Sequence, residues 1–221
     1  MKSRNSLILA LLSSILLFVG CSSNNTTTKN NVEQKKPTDN TKVSYIYQDD
    51  EQSKTLNKKG AVIAKISEVA LGTALKKAIA DGGLEHAIEF CNIEAINITD
   101  SLSKAEGVSI RRIAQKYRNP KNKPTDVESK IFKQYIMDYL SSVPLKSRLA
   151  VNHKGNPVYY KPIVTNNMCL SCHGTPGETM PLDLVTKITD LYPEDKAIDF
   201  KSGQPRGMWA ITFKNVNVGN N

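Results

Sequence analysis

The run Cys169-Leu170-Ser171-Cys172-His173 constrains this chain more than any other stretch. It gathers two of four cysteines and one of three histidines, so the fold must bring two thiols and an imidazole to one spot. Three chemistries suit it: covalent attachment of a c-type haem, a zinc site, or a redox disulfide. For haem, two thiols separated by two residues reach the two vinyl groups of one porphyrin from a tight turn. The adjacent histidine then becomes the proximal axial ligand. Gly174 would let the chain leave without a side chain crowding the ring. For zinc, Cys91, Cys169, Cys172 and His173 make a Cys3His set, although neighbouring Cys172 and His173 rarely both converge on one tetrahedral ion. A thioredoxin-like pair opens a helix within a βαβ unit, and the pattern contains no such unit. One covalent haem c is the expectation.

The N-terminus bears on that choice. Residues 1–20 read as an export signal: Lys2 and Arg4 precede "LILALLSSILLFVG", which is too short for a comfortable membrane span. Phe18-Val19-Gly20-Cys21 resembles the lipobox of bacterial lipoproteins, with Phe18 where leucine is usual. The resemblance implies that Cys21 is lipidated and becomes the mature N-terminus, each buried methylene of its acyl chains adding about 0.8 kcal/mol of membrane affinity. The chain is therefore expected to be exported, lipid-anchored in the bacterial cell envelope and facing the periplasm. That compartment is oxidising, and it is where covalent haem is attached. The formal charge of +9 comes from scattered lysines without a nucleic-acid motif, so no nucleic-acid partner is expected. Aromatic residues make up only 6%, which predicts a mainly aliphatic core.

Residues 21–57 are polar and biased, and read as the lipidated N-terminus and a flexible tether, with residues 43–47 as a short docked piece. From Lys58 the pattern turns helical. Val62, Ile66, Val69, Leu75 and Ile79 form an apolar stripe that Gly82-Gly83 ends. A second helix is predicted over 84–103, with Leu84, Ala87, Ile88, Cys91, Ala95 and Ile98 on one face. A short extended run at "GVSIRR" follows, then a proline-rich segment. Thr125 and Glu128 form a capping box for a third helix reaching about Ser142, with Val127, Ile131, Tyr135 and Tyr139 inward. "SRLAVN" and "PVYYKPIV" read as a hairpin around Lys154-Gly155-Asn156, "LDLVTKITDLYP" as a short helix, and residues 206–213 as a closing strand. Helices first and a small antiparallel sheet after them predict an α+β domain over 58–215, with a tail at 216–221.

A haem iron held by His173 has a second axial position. Cys91, His86, His153, Met168, Met180 and Met208 are the candidates, each of which is more ordinarily core or surface. His86 lies about 140° around the helix from Cys91. Met168 adjoins an attachment cysteine and is too close to reach the far face. Cys91 is an odd thiol in an exported chain, explained either as a ligand or as a small buried hydrophobe.

Several further pieces appear in order: Phe90-Cys91-Asn92; Arg118-Asn119-Pro120 with Asn122 and Pro124; Pro162-Ile163; Cys169 to Gly174; Tyr192-Pro193 with Asp195, Lys196 and Ala197; and Gly203 before Arg206-Gly207. With them, residues 62–213 resemble the exported haem-c sensor-like domains of PAS-like fold. The resemblance implies long N-terminal helices packed on a PAS-like sheet, His173 as proximal ligand and Cys91 as distal thiolate. Arg118-Asn119-Pro120 is read as structural rather than as a haem contact.

The functional expectation is a membrane-anchored c-type haem protein acting in redox or small-ligand sensing, with a diatomic gas as candidate ligand. It is not expected to be an enzyme, since both axial positions are filled. A low-potential electron-transfer cytochrome is the alternative, and a structural Cys3His zinc module the second. With no output segment after the domain, a sensor is expected to work through a separate envelope redox or signalling protein.

Overall fold

The computed structural model of the chain describes residues 43–46 and 50–216. The expected signal segment 1–20, the expected lipidation site Cys21, the expected tether up to residue 42 and the tail beyond residue 216 lie outside the described residues. Among the described residues, no helix is long and apolar enough to cross a membrane.

The domain is α+β. Its centre is a five-stranded antiparallel sheet in the order β1-β3-β4-β5-β2, formed by β1 (Ser44–Tyr45), β2 (Ser109–Ile113), β3 (Arg148–Val151), β4 (Pro157–Val164) and β5 (Pro205–Thr212). The expected hairpin is present, with Leu149 opposite Tyr159 and Ala150 opposite Val158. The docked N-terminal piece pairs Ser44 with Val151. β5 lies between β4 and β2, with Ile211 opposite both Tyr159 and Ile110.

Helix α1 (Glu51–Glu106) is the longest element and bends at Gly82 and Gly83. It starts at Glu51, earlier than the expected Lys58, because Asp50 caps it: the Asp50 carboxylate accepts the Ser53 N–H at 2.7 Å. The two predicted helices are the two arms of α1. Gly83 sits at φ 74°, a left-handed conformation that side chains disfavour.

The first arm faces the sheet differently from its hydrophobic stripe. Val62, Ile66 and Val69 are exposed, at 53%, 40% and 51%, while Ser53, Leu56, Gly60, Ile63, Ala64 and Ser67 are buried. The buried set also repeats every three or four residues, but it is mostly small, so the helix can lie close on Tyr159, Trp209, Ile211 and Phe213. The buried apolar residues are mainly aliphatic, as expected, with Tyr135, Tyr159, Tyr160, Trp209 and Phe213 among them.

Helix α2 (Asp126–Leu140) begins at the predicted Thr125–Glu128 capping box and covers the other sheet face. Ile131, Phe132 and Tyr135 pack there on Met208, Ala210 and Tyr160. The second arm of α1 packs through Ile88 on helix α4 (Leu182–Leu191), where Met180, Leu184, Ile188 and Tyr192 complete a third cluster. Cys91 is on this arm.

Candidate functional site: the Cys–His end

The motif expected as a loop is a seven-residue helix, α3 (Asn167–His173). Asn166 caps it. Its side-chain oxygen accepts the Cys169 N–H at 3.2 Å, and its own N–H donates to Cys169 Sγ at 3.4 Å. Helical spacing then puts Cys169, Cys172 and His173, at i, i+3 and i+4, on one side of a single turn. Gly174 ends α3, and its reason is local. A Cβ there would come within 1.8 Å of Thr179 Oγ1, so glycine is required by packing against the next turn.

His173 is held from two directions. Its Nδ1 donates to the Ala197 carbonyl at 2.8 Å, which leaves the Nε2 lone pair free. Its backbone carbonyl accepts the Phe200 N–H at 2.9 Å, and the Phe200 ring meets the imidazole edge-on at 6.4 Å. Burial, followed by the charges of Arg206 and Arg118, pushes the imidazole well below its usual range. At neutral pH it is the uncharged, ligating form.

Arg118 fixes the frame. This buried side chain donates to Asp195 Oδ2 from Nε at 3.2 Å and from Nη2 at 3.0 Å. Nη2 also donates to the Cys172 carbonyl at 2.7 Å. Asp195 Oδ1 in turn accepts the Ala197 N–H at 2.8 Å. One guanidinium thus ties the end of α3 to the 195–197 segment that orients His173. The reading of Arg118 as structural agrees with this geometry.

Cys91 and Cys172 lie within electrostatic reach of each other, and Arg112, Arg118 and Tyr192 lie within the same reach of Cys91. Burial pushes the Cys91 thiol up, and the two arginines offset this in part. Cys172 packs against the cluster of Ile88 and Met180, and burial takes its thiol up to about 11. Cys91, Cys169 and Cys172 are all free thiols.

Among the described residues, no three His, Cys, Asp or Glu side chains form a group able to hold a metal ion. This corrects the Cys3His alternative: Cys91, Cys169, Cys172 and His173 do not come together as a group able to hold one ion. The other axial candidates are dispersed. Met208 is buried on the α2 side of the sheet, His86 is exposed beside the α1 bend, and Met168 is 42% exposed. His153 lies at the far end of the sheet. Met180 is buried behind Cys172.

Sequence reasoning gave no role to Arg112 or Arg206. Arg206 enters from the start of β5 and donates from Nη1 to the Lys116 carbonyl at 2.8 Å. Its partners are distant in sequence, and the only signal for it was the Arg206-Gly207 piece of the motif series.

The α+β domain thus gathers two thiols and a held imidazole on one short helix, within electrostatic reach of a further thiol on a long helix. The chain belongs to the Tll0287-like family, whose pattern matches residues 22–214. Its fold is similar to the crystal structure of the cyanobacterial heme-protein Tll0287, at 23% identity and a TM-score of 0.51, covering 70% of this chain and 94% of that one. No curated protein matches the chain.

Proposed function

We propose that this protein carries one covalent haem c. Cys169 and Cys172 would form the thioethers, His173 Nε2 the proximal bond and Cys91 the distal thiolate bond to iron. The observation that carries the reading is the second bond of the imidazole. His173 Nδ1 is committed to the Ala197 carbonyl at 2.8 Å, the outer partner that fixes tautomer and ring orientation in metal-bound histidines. The donor set of thiols and one neutral imidazole suits haem iron, and the similarity to heme-protein Tll0287 supports the same reading. The strand order, with the last strand, β5, inside the sheet between β4 and β2, is compatible with a PAS-like sheet.

A bound haem would supply one-electron redox chemistry, and a diatomic gas would bind the reduced form by displacing Cys91. The chain's own residues hold its ligands: Arg118 locks the end of α3 to Asp195, and Ala197 aims the imidazole. We read the role as redox or small-ligand sensing at the envelope membrane, anchored through Cys21 and passed on by a separate envelope protein, with no catalysis. A haem-staining band should survive denaturation of protein matured in a host able to attach haem. Cys172→Ala should weaken that band, and the Cys169/Cys172 double alanine should abolish it. Stoichiometric zinc in haem-free protein would overturn the reading. Carbon monoxide separates sensing from electron transfer. A sensor's reduced spectrum changes on adding the gas, and a carrier's does not.

A further inference from the structure

Three guanidinium groups converge on the Cys–His end: Arg112 from β2, Arg118 from the segment after it, and Arg206 from β5. All three lower the affinity of His173 for a proton. Among the described residues, the one carboxylate paired with any of them is Asp195, and Arg118 takes it. Three positive charges therefore face one negative charge in a half-buried corner, an excess that favours anionic partners.

Arg206 identifies where one partner goes. Its Nη1 is engaged by the Lys116 carbonyl, and the Phe200 ring lies 5.1 Å from its guanidinium carbon. Its Nε is buried with no hydrogen-bond partner. A buried donor on a cation is seldom left unmet, and an arginine edge matches a carboxylate through two parallel N–H bonds. Burial and the neighbouring Arg118 charge take the Arg206 group down to about 9. An anion at Nε would relieve both effects.

We propose that the Nε edge of Arg206 seats a propionate carboxylate of the haem. This inference rests on the haem reading above, and its test separates the two.

The test uses the full chain matured with haem, as wild type, Arg206→Gln and Arg206→Lys. Haem staining, the propionate-bending band in resonance Raman spectra and the midpoint potential are measured on each. Staining should be equal in all three. Arg206→Gln should shift the propionate band and lower the potential, because a cation near the ring favours the added electron. Arg206→Lys should hold the potential nearer wild type but still shift the band, because an ammonium lacks the fork. A haem-bearing wild type with an unchanged band and potential in Arg206→Gln overturns the seat alone. If Arg206→Gln gives no folded protein, an unchanged band in Arg206→Lys does the same. A wild type without covalent haem overturns both readings.

Discussion

Where β4 ends at Val164 and β5 begins at Pro205, the sheet meets α3, Arg118, Asp195 and Arg206. At its other end, where β2 starts and β5 finishes, it opens on a cavity of about 580 Å³ lined by Thr125, Glu128, Asn152, His153, Lys154 and Lys214. The polar groups at this second end answer one another. Arg111 pairs with Glu128 at 2.9 Å, and the Asn152 side chain accepts the Lys154 and Asn156 N–H groups at 2.9 and 3.1 Å. The first end holds the thiols, an imidazole forced neutral, and Arg206 Nε, a buried donor with no hydrogen-bond partner. Unmet chemistry, rather than volume, distinguishes a seat for a ligand from a solvated cleft.

Substitutions should separate the two ends. Arg118→Ala strands Asp195, whose side chain is 8% exposed, and breaking a buried pair from one side costs about 3–5 kcal/mol. Denaturant unfolding should show this loss, and Arg118→Lys should recover only part of it because the fork is gone. Gly83→Ala puts a side chain at φ 74° in the bend that aims the Cys91 arm, for a loss of about 1–2 kcal/mol. A loss well below 1 kcal/mol would mean the bend relaxes freely. At the cavity end, His153→Ala should change stability by no more than about 0.5 kcal/mol and leave any haem spectrum untouched. A spectral change there would erase the contrast.

The sequence made much of this visible, for reasons that differ by element. The Thr125–Glu128 box, the turn at Gly155 and the Cys-x-x-Cys-His spacing are local, and local chemistry determines them. The first arm of α1 was misfaced because periodicity weighs hydrophobicity. The face that meets the sheet was chosen for small size, so Gly60, Ala64 and Ser67 went inward while Val62, Ile66 and Val69 stayed out. Helix α3 was missed because it is short and depends on the Asn166 cap rather than on any stripe. The Arg118–Asp195 clamp joins residues 77 apart in the chain, and no pattern along the sequence encodes such a pair. The arginine excess likewise exists only after folding gathers it.

The account depends most on Cys91, the thiol that faces α3 from the second arm of α1. In water-poor surroundings such a thiol stays neutral, and burial pushes Cys91 that way. Coordination to ferric iron would deprotonate it outright and favour the oxidised state. The most direct measurement is the ferric optical and paramagnetic resonance spectrum of haem-bearing wild type beside Cys91→Ser, with the midpoint potential of each. The account predicts a low-spin thiolate signature in wild type. In Cys91→Ser that signature disappears and the potential rises, while the covalent haem remains. An unchanged spectrum and potential in Cys91→Ser would make the thiol mere packing and contradict the axial pair.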